Sequence, residues 1–168
     1  MSLFALVHVG CLALLAALLV GAGVQDLRSM TIANGISLAV AGLFVVWAGG
    51  ALAAGRLFPT DLAFSVGCAV VVFAAGAAAF AAGALGGGDV KLLAAVSLFA
   101  GSARVVDFLA ITAIAGGLLG LAILAGAPIG QPAAGSLGPL RARLRRSLPY
   151  GPAIAAGGLW IAATQAMS

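Results

Sequence analysis

The chain has 168 residues, of which 64% are hydrophobic and only 7% charged, and its net charge is +4. A soluble domain carries about 25% charged residues, so the composition excludes one and indicates a single integral membrane domain over residues 1–168. The positive balance does not argue for nucleic acid as a partner, because the arginines gather in one loop, as membrane topology requires.

In chain order, Leu3 to about Gly23 is the first apolar run. It lacks the Lys or Arg that opens a secretory signal peptide, so it reads as a first transmembrane helix. His8 within it is expected to be packed or interfacial. Gln25 to Thr31 is a polar break, and Ile32 to Leu52 is the second span, with Asn34 near its start. Ala53 to Asp61 forms a short loop, in which Thr60 or Asp61 is expected to cap the next helix. Leu62 to about Ala82 is the third span. Gly83 to Asp89 then leads into a shorter apolar run, Val90–Ala100. A crossing needs about 20 residues, so the glycine segment is expected to enter the membrane with that run. Gly101 to Arg104 reads as a tight break, Val105 to about Ala125 as the fifth span, residues 127–149 as the longest loop, and Tyr150 to about Ala166 as the sixth span. Gly116, Gly117, Gly120, Gly157 and Gly158 suit close helix contacts. Cys11 and Cys68 both lie in apolar runs and form no Cys-x-x-Cys pair, so they read as small buried hydrophobes, and no metal site is expected.

The expected architecture is therefore an all-α bundle of six transmembrane helices. Alternating loops then place Arg28, Lys91 and the cluster Arg141, Arg143, Arg145 and Arg146 on one side, and Arg56 and Arg104 on the other, six positive charges against two. The positive-inside rule puts the first set in the cytoplasm and the N-terminus outside. The arginine cluster reads as a topology anchor that also attracts anionic lipid.

The chain has four carboxylates, Asp26, Asp61, Asp89 and Asp107, and no Glu. An acid at membrane depth is costly and usually functional. The topology puts Asp26 and Asp89 on one face and the other two acids on the opposite face. Asp61 reads as a cap, and Asp107 is spaced to meet Arg104 on a helix. Asp26 ends one span and Asp89 begins another, behind Gly86-Gly87-Gly88, where missing side chains let another group approach. Two close carboxylates do not both ionise easily, so one keeps its proton and the pair can activate a water between them. This is aspartic-protease chemistry, and it needs no cofactor. Helix dipoles place the resting proton on Asp26, near a helix C-terminus, and make Asp89, near an N-terminus, the base. The glycines around Asp89 also lead us to expect acids that are not yet in reacting geometry without substrate.

Gly86-Gly87-Gly88-Asp89-Val90-Lys91-Leu92 resembles the G-x-G-D motif of the type IV prepilin peptidases. Asp26-Leu27-Arg28 followed by Ile32-Ala33-Asn34 resembles that family's first-aspartate segment, with Ala33 where the family usually has proline. Leu148-Pro149-Tyr150-Gly151-Pro152-Ala153-Ile154-Ala155-Ala156-Gly157 resembles its final span. The three segments stand in family order. The resemblance implies an intramembrane aspartyl endopeptidase with Asp26 and Asp89 catalytic, and Gly86, Gly88, Lys91, Arg28 and Asn34 supporting the site or binding substrate. It implies cleavage of the basic leader of a prepilin or pseudopilin at the cytoplasmic face of the bacterial inner membrane, usually after a glycine, within a pilus or protein-secretion system. Larger members carry an insert with two Cys-x-x-Cys pairs and also methylate the new N-terminus. The short form here looks like the peptidases of tight-adherence (Flp) pilus systems, which implies cleavage without methylation. The expected partners are the lipid bilayer and the membrane-inserted leader, with homo-oligomerisation left open. The competing reading is a non-catalytic membrane subunit or small transporter of such a system.

Overall fold

A computed structural model describes residues 3–125 and 149–167. The arginine cluster at 141–146 lies outside the described residues. The described residues form five helices: α1 Leu3–Ser29, α2 Asn34–Ala53, α3 Pro59–Ala81, α4 Gly87–Leu124 and α5 Gly151–Ala166. No strand occurs among them. The first four helices are long and apolar enough to cross a membrane. They are apolar all round, with Leu38, Val45, Val71, Val106 and Leu118 exposed on the outside, as expected where lipid is the surrounding solvent.

Five helices replace the six that were expected, and the outside assignment of the N-terminus, which depended on six alternating crossings, loses its support. The difference lies at Gly101, where the fourth and fifth expected spans are merged into α4. Gly101 has φ 59° and ψ −173°, a conformation that a residue with a Cβ rarely adopts. The bend it makes is sharp. Before it, Val96 lies beside Gly158 of α5, and after it, Phe108 and Thr112 lie beside the adjacent Gly157. Further on, Gly116 packs against Tyr150 and Ala153. The second arm of α4 thus runs back along α5, toward the end from which the first arm came.

Other boundaries also moved. α1 continues through the expected polar break to Ser29 and carries both Asp26 and Arg28, because residues 24–29 contain neither glycine nor proline to interrupt the helix. It stops at Met30, the one non-glycine residue with positive φ among those described. In α3 neither Thr60 nor Asp61 is the cap. Phe58 holds that position, Pro59 opens the helix, and Asp61 lies in its first turn, where the dipole favours an acid. Ala33 has φ −64°, the angle a proline ring would impose, so the backbone keeps the conformation of the residue the family usually has there.

The core lies where α1, α2, both arms of α4, and α5 meet, around Leu15, Leu19, Val40, Leu92, Val96, Phe99, Phe108 and Ile154. Glycines set the spacing. A Cβ on Gly157 would stand 2.9 Å from the Phe108 carbonyl, and one on Gly158 would stand 2.6 Å from Leu19. Gly116 is in contact as expected, whereas nothing lies within 4 Å of Gly117. Cys11 is buried and Cys68 half-buried, both with free thiols.

Candidate active site

Asp26 lies in the last turn of α1 and Asp89 in the first turn of α4. Both are buried, at 4% and 8% exposure. These are two of the few charged side chains in the chain, and they lie at the same end of the bundle, Asp26 against the start of α5 and Asp89 in the first turn of α4, which lies against the α1–α2 connection. Asp61 and Asp107 remain exposed elsewhere. Among the described residues no group of three or more His, Cys, Asp or Glu side chains gathers as metal ligands would.

Each carboxylate is held by a backbone amide. The Gly151 N–H donates to Asp26 Oδ2 at 2.7 Å. The Gly86 N–H donates to Asp89 Oδ2 at 3.2 Å, so the acid folds back onto the N-cap amide of its own helix, the one half of a capping box that a glycine N-cap permits. Asp89 Oδ1 is buried and has no hydrogen-bond partner among the described residues. No hydrogen bond joins the two acids there.

Backbone approach explains the glycines. A Cβ on Gly86 would stand 2.6 Å from Asp89 Oδ2, in the space the carboxylate occupies. A Cβ on Gly88 would stand 2.9 Å from the Ile32 carbonyl, so Gly88 lets the α1–α2 connection lie against the start of α4. Gly86 itself has φ −76°, so close packing, rather than a left-handed backbone, is what its missing side chain permits.

The sequence-derived site divides in two. Asp26, Asp89, Gly86 and Gly88 come together. Lys91 and Asn34 are exposed and pair with each other, Lys91 Nζ donating to Asn34 Oδ1 at 2.9 Å, which ties the start of α2 to the start of α4. Arg28 is exposed. Arg28 and Lys91 each follow an acid by two residues, roughly 200° around the helix, so each points away from the acid it follows.

One contributor was missed in the sequence. Gly151 opens α5, and a Cβ there would stand 2.6 Å from the Asp26 Cβ. Pro149 is fully buried beside it, and Gly23 of α1 would meet the Pro152 backbone at 3.4 Å. The signal was present in Pro149-Tyr150-Gly151-Pro152, where a glycine between two prolines fixes the entry into α5. This contact also removes the basis for placing the resting proton on Asp26. That expectation used the C-terminal dipole of α1 alone, whereas Asp26 also faces the N-terminus of α5, where the dipole has the opposite sign.

No curated protein and no solved structure matches the chain. The model of the type IV leader peptidase family matches residues 13–121, a stretch that contains both buried acids, the Lys91–Asn34 pair and the Gly101 bend. The chain therefore belongs to the type IV leader peptidase family.

Proposed function

We propose that this protein is an aspartyl endopeptidase that uses Asp26 and Asp89 as its catalytic pair. It removes the basic leader of a prepilin or pseudopilin at the cytoplasmic face of the inner membrane and does not methylate the product. The observation that carries this reading is the burial of two carboxylates from distant parts of the chain at one end of an apolar bundle. Asp26, which accepts the Gly151 N–H at the positive end of α5, is the ionised base. Asp89, with one oxygen unpartnered, carries the shared proton. Asp26 takes a proton from water as the water oxygen attacks the scissile carbonyl carbon, and Asp89 gives its proton to the carbonyl oxygen. When the resulting diol collapses, a proton passes to the leaving nitrogen and the C–N bond breaks.

The sequence holds two cysteines, Cys11 and Cys68, and no Cys-x-x-Cys pair, which supports peptidase activity without the methylating insert. In the test, the chain is co-expressed with prepilins from the same genome and their leader removal is read as a size shift. Asp26→Asn and Asp89→Asn should each lower cleavage by at least about 10²-fold while inserting normally. Retained cleavage in either variant would remove that acid from the mechanism.

A further inference from the structure

α2 and α3 each pack against α4 but have scarcely any contact with one another. Between them runs an apolar slot floored by the first arm of α4. Its upper part has a volume of about 570 Å³ and includes Asn34, Ala41, Val70 and Lys91. The lower part, about 420 Å³, shares Ala41, Val66 and Leu98 with it and continues to Leu52. From Asn34 to Leu52 the slot follows α2 for about 27 Å, close to the roughly 30 Å hydrocarbon thickness of a bilayer. A lipid chain occupies one leaflet, about half that length, whereas a single transmembrane helix spans it all. Small residues in the floor and walls, Ala41, Ala69, Ala94 and Ala95 in the upper part, permit the close backbone approach by which helices associate in lipid.

The mouth of the slot, at Asn34 and Lys91, lies at the end of the bundle that holds the acids. Lys91 is two residues from Asp89, and Asn34 is two residues from Ile32, whose carbonyl lies against Gly88. We infer that this slot is the docking track for the apolar, membrane-spanning helix of the substrate, which delivers the bond just outside the membrane to the carboxylate pair. The inference rests on the peptidase reading above and adds where the substrate lies. It makes the α2–α3 surface, and not the acids, responsible for preferring substrates that carry a transmembrane helix.

Two synthetic peptides in phospholipid vesicles test it. One has a basic leader, a cleavage site and a 20-residue apolar helix, and the other stops five residues after the cleavage site. In Ala41→Trp, which fills the slot where its two parts join, the ratio of the cleavage rates, helix-bearing over truncated, should fall about tenfold or more. An unchanged ratio, whether both rates stay the same or fall together, would overturn the inference. A second measurement does not depend on turnover. Benzoylphenylalanine in place of Val70, which is 60% exposed on the slot wall, should crosslink the helix-bearing peptide in an Asp89→Asn background. The same label in place of Val106, 73% exposed on the second arm of α4, should not. Crosslinks from Val70 to lipid alone, or to a second copy of this chain, would reject the track. Failure of the unaltered chain to cut either peptide would count against the peptidase reading, and the Val70 crosslink would still decide the slot.

Discussion

The two ends of the bundle satisfy their polar groups in opposite ways. At the end away from the acids, Trp47 Nε1–H donates to His8 Nδ1 at 2.9 Å, and His8 Nε2 lies 3.2 Å from the Gln165 carbonyl oxygen. The Gln165 side-chain amide donates to the Phe99 carbonyl, just before the α4 bend. Phe4, Phe44 and Trp47 add ring contacts around His8 and Phe99, and Arg56 lies over the Phe4 ring. Side chains of α1, α2, α4 and α5 are thus bound to one another, and His8 is a structural tie, as expected of a lone histidine in a span. At the acid end, each carboxylate is held by one backbone amide, and one oxygen of Asp89 has no partner among the described residues. The first end ties the α4 bend to its neighbours, and the second leaves one carboxylate oxygen without a partner among the described residues. A buried polar network stabilises when satisfied, whereas a buried group left without a partner costs free energy.

Substitutions at the two ends should separate activity from stability. The largest effect is expected for Gly151→Ala. Its Cβ would press on Asp26, and cleavage per folded molecule should fall about 10²-fold, with the melting temperature in detergent lowered by a smaller proportion. A variant that lost its fold before its activity would contradict the division of labour. At the other end, Gln165→Leu removes the donor to the Phe99 carbonyl and should cost about 1–3 kcal/mol of stability. Its cleavage rate per folded molecule should stay within about twofold of the parent, measured by thermal unfolding beside a peptide assay. Gly86→Ala lies between the two. The atom its Cβ meets is the end of the Asp89 side chain, which can swing aside, so stability should barely change while cleavage falls roughly tenfold. The smallest effect is expected at the α1–α2 connection. Ala33→Pro places a ring where φ already suits it and should raise stability by about 0.4–1 kcal/mol. A loss of stability would show that the Ala33 amide is needed as a donor.

Much of this molecule is written locally. Apolar runs long enough to span, the acid behind three glycines, and the first-aspartate segment can each be read without knowing what packs on what. Boundaries were less legible where only side-chain polarity suggested them. Gln25 to Ser29 looks like a loop because it is polar, yet a polar residue does not interrupt a helix as glycine or proline does, so α1 runs on and places Asp26 inside a helix. At Gly101 the sequence announced a break, but whether that break separates two helices or bends one depends on a single backbone torsion.

Composition and motif by themselves determined the membrane setting and the all-helical class, and singled out the two acids proposed as the catalytic pair, because hydropathy and residue type are properties of each segment alone. Only the tertiary structure decided what surrounds those acids. The Gly151 amide on Asp26, the path of the second α4 arm back along α5, and the slot between α2 and α3 all join residues far apart in the chain. Such contacts are set by how helices pack, and no local pattern encodes which helix end will face a given carboxylate.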